Sequence, residues 1–360
     1  MSRPLRAAVA LLLSAAITWA APLAGLLLSG TSIDPYLSFP PRTRFVPHAP
    51  FSCPAFVAIG ALALATVALY VVAFARAEPR RGSRERSSFP AWGWLGLLLM
   101  VASWLAAWHG DLPPQWRRHV FTPLWLGYVL LVNALTVARS GHCPLTHRTR
   151  WYLCLFPVSA LYWWLFEHLN RFAGNWYYEG IVASGGLDYF LQGTLPFATV
   201  LPAVAGTWAW LQTFPRMEAI RLPAIRGNAR VARIALLVGA TGLAGIGLWP
   251  DRLFWLLWLA PLLIVTGLQY ILLGESLFAA VARGDWSPVL QPALAALICG
   301  LLWELWNWGS LAKWHYSIPY VERFHLFEMP LLGYAGYLPF GLECAVVMDL
   351  VSSAVRSRST

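Results

Sequence analysis

Ten apolar runs, each about as long as a bilayer crossing, divide this chain and leave few folds open to it. Roughly 20 consecutive apolar residues cross the hydrocarbon core as a helix. The runs lie at residues 7–29, 56–74, 92–108, 121–137, 151–169, 191–211, 234–249, 253–273, 288–308 and about 331–351. They predict an all-α polytopic membrane helix bundle of about ten transmembrane helices, with little chain left for a soluble domain. The first run follows Arg3 and Arg6 and also fits a signal peptide cleaved near Ala20. Its apolar character continues past that point, so it is read as a retained span. The last run has an indistinct start, because Gly333, Gly336 and Pro339 can hold a broken or re-entrant segment. Such backbone is tolerated at membrane depth only where protein shields it or it lines a cavity.

The charges fit the same reading. Charged residues make up 12% of the chain, against about 25% in an ordinary soluble domain. The net charge of +10 comes from arginines beside the apolar runs, so it marks topology rather than a nucleic-acid partner. With both termini in the cytoplasm, 18 of the 26 Lys and Arg residues fall on the inner side, five of them at 76–86 and five at 216–233. That bias predicts a multi-pass protein of the cell's inner (plasma) membrane with cytoplasmic N- and C-termini. The five cysteines form no CxxC pair and no zinc spacing. Three sit in apolar runs, where a thiol acts as a small hydrophobe.

A duplication organises the second half of the chain. Glu304 and Asn307 close the ninth run, and Trp314 and Tyr316 follow in the next loop. A paler copy lies 137 residues earlier, with Glu167 and Asn170 ahead of Trp176 and Tyr178. Leu-Pro-Phe occurs at 195–197 and again at 338–340, and residues 123–135 resemble 256–268. These matches predict a two-span N-terminal addition (1–89) and two parallel four-helix repeats (90–215 and 216–360). Repeats with an even number of spans run parallel, related by a pseudo-twofold axis along the membrane normal, with a shared cavity near it. Both aromatic loops then lie on the extracytoplasmic side.

The candidate site residues come from this duplicated unit. Glu and Asn three apart on a helix share a face, so Glu167 with Asn170, and Glu304 with Asn307, each point one way. The glutamates either pair locally and fix the repeat interface or face each other across a site. Glu343 lies among apolar and small residues with no cation near it in sequence. It is either bonded to backbone freed by Pro339 or an acid held ready to donate a proton. The catalytic candidates are therefore Glu343, Glu304 and Glu167, with Asn307 and Asn170 orienting them. Trp176, Tyr178, Trp303, Trp314 and Tyr316 are the substrate-binding candidates, forming either an interfacial belt or a cavity wall whose ring faces attract cations. Glu322, His325 and Glu328 stand at three-residue steps, but nothing in the pattern makes that loop helical, so no metal site is expected. No glycine-rich phosphate loop, nucleophile elbow or HExxH is present, and no cofactor is expected.

In these residues the chain resembles the lycopene cyclase domain of the bacterial and fungal membrane type. The matching features are Glu167 with Trp176-Tyr177-Tyr178 and Pro196, and Glu304 with Trp314-His315-Tyr316, Pro339 and Glu343. The family carries Pro-x-Glu-Glu where this chain has Pro339-x-x-x-Glu343 in one copy and no acid in the other. The resemblance implies a cofactor-free acid–base isomerisation of a polyene or isoprenoid, with Glu343 or Glu304 as proton donor and aromatic residues lining the site. Three functions are open from the sequence. One is a membrane-embedded enzyme on an isoprenoid- or carotenoid-like lipid, its partner a membrane lipid or lipid-soluble substrate. The others are a transporter or channel with its path between the repeats, and a non-catalytic membrane scaffold.

Overall fold

The structure is a computed structural model that describes residues 1–79 and 87–355. The arginine-rich stretch 76–86 falls outside the described residues from 80 onward, as do Arg356 and Arg358. The protein is an all-α polytopic bundle. Its long helices are α1 (Arg3–Leu28), α2 (Cys53–Ala75), α3 (Ala91–Trp108), α4 (Phe121–Ser140), α5 (Thr149–Ala173), α6 (Gly186–Phe197), α7 (Val200–Leu211), α8 (Ala229–Ile246), α9 (Leu256–Leu273), α10 (Ser287–Trp308) and α11 (Tyr337–Val355).

Among the described residues, nine segments are helical, long and apolar enough to cross a membrane, with α6–α7 counting as one. The protein is therefore an integral, multi-pass membrane protein. The helix α5 is the difference from the ten expected spans. It is 25 residues long, but its last turns hold Glu167, His168, Asn170 and Arg171, which dilute its apolar character. Glu167, His168 and Asn170 are buried, so protein rather than lipid surrounds them.

The sixth apolar run is two helices, not one. The side chain of Ser159 on α5 enters the break: its hydroxyl accepts from the backbone N–H of Leu201 (3.0 Å) and donates to the carbonyl of Phe197 (2.6 Å). Those two backbone groups would otherwise bond each other within a continuous helix. Broken backbone at this depth persists because a neighbouring helix satisfies it. The tenth span also begins irregularly, with a 3-10 segment at Leu331–Gly336 ahead of α11.

Two helix pairs pack closely through small residues. On α3 and α4, a Cβ added at Gly127 would lie 2.5 Å from the backbone nitrogen of Met100. On α8 and α9, a Cβ added at Gly267 would lie 2.7 Å from the carbonyl oxygen of Ala232. Lipid tails are as apolar as the helices, so close van der Waals packing of this kind, rather than escape from water, holds such pairs together. The centre of the bundle is built from α5, α7, α10 and α11, with α1 packed against α8, α9 and α11. Trp125, Trp306, Tyr152, Phe166 and Phe340 are fully buried there. In contrast, α2 buries only Ala73. It touches the rest of the chain near its ends, where Phe56 meets Phe324 and Ala73 joins a small cluster with Ile220 and Leu290.

At one end of the bundle the two aromatic loops meet. Strands β1 (Trp176–Glu179) and β2 (Lys313–Tyr316) pair antiparallel. The register places Trp176 opposite Tyr316, Tyr177 opposite His315 and Tyr178 opposite Trp314. Each Trp of one motif copy therefore faces the Tyr of the other. The exchange is centred on Tyr177 and His315, whose rings stack 5.6 Å apart.

Candidate active site

Each strand is held by the asparagine that ends the preceding helix. Asn170 accepts from the backbone N–H groups of Asn175 (2.8 Å) and Trp176 (3.3 Å) and donates to the carbonyl of Trp176 (2.7 Å). Asn307 accepts from the N–H of Trp314 (2.9 Å) and donates to its carbonyl (2.7 Å). A side-chain amide offers both a donor and an acceptor, so each Asn serves as a one-residue strand partner. Both asparagines are fully buried. They orient the aromatic strand rather than bonding to the glutamate one turn earlier.

The two glutamates gather the same donors. Oε1 of Glu167 accepts from the indole N–H of Trp163 (3.0 Å), the indole N–H of Trp176 (3.1 Å) and the hydroxyl of Tyr178 (2.5 Å). Oε1 of Glu304 accepts from Trp314 (3.3 Å), Tyr316 (2.6 Å) and Tyr337 (2.9 Å). In both, Oε2 is buried and has no hydrogen-bond partner among the described residues. Burial first, and then the adjacent carboxylate, hold the Tyr178 and Tyr316 phenols well above their ordinary pKa. Both tyrosines are therefore neutral O–H donors.

One exchange distinguishes the copies. Trp163 precedes Glu167 by one turn, and the equivalent position before Glu304 is Gly300. A Cβ at Gly300 would lie 2.4 Å from the Tyr337 ring. The glycine thus clears the space through which Tyr337 reaches Glu304, taking the place of the Trp163 donor. Gly300→Ala is expected to lower stability by about 1–3 kcal/mol, the usual cost of an overpacked methyl. Thermal unfolding of the purified protein in detergent measures this. Gly110, around which a Cβ would meet nothing within 4 Å, is the control, and Gly110→Ala should leave the midpoint unchanged.

Between the two donor sets lies a cavity of about 150 Å³. Trp176 and Tyr178 of β1 and Trp314 and Tyr316 of β2, cross-strand partners on one face of the paired strands, line it together with Trp163 and Tyr337. Trp258, Trp303, Phe121 and Phe197 add to its apolar surface. Trp176 stacks on Trp258 at 5.7 Å, Trp303 stacks on Tyr337 at 5.9 Å, and Phe121 meets Trp314 edge-on at 5.5 Å. Phe340 packs against Trp163, Trp258 and Trp303 and fills the space behind them.

The predicted site residues fall into three places. Trp176, Tyr178, Trp303, Trp314 and Tyr316 line the cavity. Glu167 and Glu304 lie directly behind that lining, each touching the cavity only through its donors. Glu343 is elsewhere: it is buried one helical turn beyond Phe340, beside Tyr162, and its Oε2 also has no partner among the described residues. The loop acids do not converge. Glu322 pairs with His325 at 2.9 Å, whereas Glu328 bonds to Lys313 and His315. Among the described residues no group of three or more His, Cys, Asp or Glu is placed to hold a metal.

Three wall residues that the duplicated motif does not contain are Tyr337, Trp258 and Phe121. Tyr337 lies 33 residues after its glutamate, and Trp258 and Phe121 come from helices outside the motif, so no local spacing reveals them. Trp163 is different, because its one-turn spacing from Glu167 is readable in the sequence. No protein-family model, curated protein or solved structure matches the chain.

Proposed function

We propose that the protein is a membrane-embedded enzyme performing cofactor-free acid–base chemistry on one end of an isoprenoid- or carotenoid-like lipid. The observation that carries this reading is the pair of equivalent Tyr–Glu units, Tyr178 with Glu167 and Tyr316 with Glu304, whose tyrosines line one aromatic cavity. An isomerisation needs a proton delivered to one carbon and another removed from a second. With one glutamate protonated and the other ionised, the first unit passes a proton through its tyrosine to an alkene carbon. The second takes a proton from a neighbouring carbon by the reverse path. The double bond or ring closure has then moved, no proton is gained or lost, and the two glutamates have exchanged states. In between, the electron-rich ring faces of Trp176, Trp258, Trp303 and Trp314 stabilise the carbocation.

A cavity near 150 Å³ holds a group about the size of benzene. One end group of a polyene fits, and the remaining chain stays in lipid. This agrees with the resemblance to membrane-type lycopene cyclases, with the Tyr–Glu units rather than Glu343 as the proton-handling groups. The filling of the bundle behind the cavity by Phe340 favours an enclosed site over a transport path. The arginine distribution supports an orientation with the paired strands outside and both termini in the cytoplasm of an inner-membrane protein. A duplication of a four-span unit would account for two equivalent Tyr–Glu units at one cavity.

The test is expression in cells that accumulate linear isoprenoids, carotenoids among them, followed by lipid extraction, mass spectrometry and absorbance. The expected result is a new product of unchanged mass. An unaltered lipid profile with well-folded protein in the membrane overturns the reading.

A further inference from the structure

Apart from its tyrosines and tryptophans, the polar lining of the cavity gathers at one edge. There Arg118, Gln192 and Lys313 enter its lining, and all three gather around residues 179–182. Arg118 donates through Nε to the carbonyl of Gly180 (3.3 Å), and Gln192 donates to the carbonyl of Val182 (3.0 Å). Lys313 pairs in the strand register with Glu179. The two cations differ in what neutralises them. Lys313 is ion-paired to Glu328 at 2.6 Å, and Glu328 also accepts from His315. Arg118 has no carboxylate partner among the described residues; Asp188, near His119, is held instead by Ser184 and Gln192. The terminal guanidinium nitrogens of Arg118 are thus uncommitted at the rim of an aromatic cavity.

The depth of this rim is set by tryptophan. Trp116 and Trp308 are exposed at this end of the bundle, as expected for residues at the lipid headgroup level. The helix α6 separates the cavity from lipid: Gln192, Gly193 and Pro196 face the cavity, whereas Leu187, Leu191 and Leu195 are exposed. A ligand lying here has its polar end at the headgroup level and its apolar chain among the rings.

We propose that the cavity binds a single-chain isoprenyl phosphate, with its phosphate on Arg118 and its first isoprene unit against the tyrosines of the two Tyr–Glu units. The assignment rests on the reading of this cavity as a lipid substrate site and names the class of that substrate. Guanidinium matches phosphate oxygens with two parallel hydrogen bonds. A cavity of about 150 Å³ admits one chain end, which disfavours a two-chain phospholipid.

The experiment is equilibrium binding by native mass spectrometry to the full-length protein in detergent, using a C15 isoprenyl monophosphate, the matching alcohol, inorganic phosphate and a diacyl phosphatidate. The wild type is expected to bind the isoprenyl phosphate at least about tenfold more tightly than the alcohol, the size of one charge-assisted hydrogen-bond pair. Arg118→Gln should bring the two ligands close to parity. Arg117→Gln, which removes a donor to the Ala107 carbonyl outside the cavity, should preserve the preference. Equal binding of phosphate and alcohol by the wild type overturns the assignment, as does a preference that survives Arg118→Gln. Displacement by inorganic phosphate at matched concentration overturns it too, because the chain would then contribute nothing. Arg118-dependent binding of phosphatidate as tight as that of the isoprenyl phosphate makes the ligand a bilayer phospholipid and also overturns it. Binding is read without turnover, so its outcome and that of the acid–base test are independent.

Discussion

Glu304→Gln is expected to cost about 10²–10⁴-fold in product formation, the usual contribution of a positioned acid or base, while the protein still reaches the membrane and folds. Glutamine keeps the shape of the side chain and a carbonyl oxygen to accept from Tyr316 and Tyr337. It cannot take up or release a proton. Its amide nitrogen replaces an oxygen that itself has no protein partner, so one unsatisfied buried group stands for another and stability should change by less than about 1 kcal/mol. Glu167→Gln is expected to behave alike, because delivering one proton and removing another requires both units. Tyr316→Phe combined with Tyr337→Phe supplies the complementary case: Glu304 remains ionisable, with Trp314 as donor, but both hydroxyl paths from carboxyl to cavity are cut. Liquid chromatography of extracted lipids measures product, and quantitative immunoblotting of membranes normalises it. If the product persists undiminished in all three variants, the carboxyl groups are not its proton carriers.

Asn170→Ala and Asn307→Ala are expected to destabilise the protein by similar amounts, about 2–4 kcal/mol each, since each leaves the backbone groups of Trp176 or Trp314 without their side-chain partner. The similarity follows from their matched bonds to Trp176 and Trp314. The double variant is expected to lose less than the sum. The two strands pair with each other, so the first substitution already loosens what the second asparagine holds, and residues sharing one network do not add. Thermal unfolding of the single and double variants measures the coupling. Strict additivity would show that each Asn acts on its own loop without reference to the other.

The legible parts of this protein have short-range causes. The spans could be read because bilayer thickness sets their length, and most helices agree with the apolar runs within a few residues. Glu167, Asn170, Glu304 and Asn307 could be read because a polar group in an apolar run, repeated at equal spacing, is costly without a purpose. Trp176, Tyr178, Trp314 and Tyr316 followed from the same repeat. What the asparagines bond to could not be read, because helical spacing gives a shared face but not the partner across it. The break between α6 and α7 is set by Ser159, nearly 40 residues earlier. Gly300 and Tyr337 form a compensating pair across two helices, and nothing near either residue signals the other. Trp258, Phe121 and Arg118 reach the cavity only through the packing of the whole bundle.

The most direct test of the Tyr–Glu chemistry is isotope incorporation in heavy water. Membranes containing the wild-type protein would be incubated in D₂O with the linear substrate identified from the lipid profiles. The product carbon that receives the proton is expected to carry one deuterium, since the proton delivered through Tyr178 or Tyr316 comes from an exchangeable carboxyl group. The label should be lost with the product in Glu304→Gln. A product formed without any deuterium would contradict the account, because the hydrogen would then have moved within the substrate and the two buried glutamates would not be its carriers.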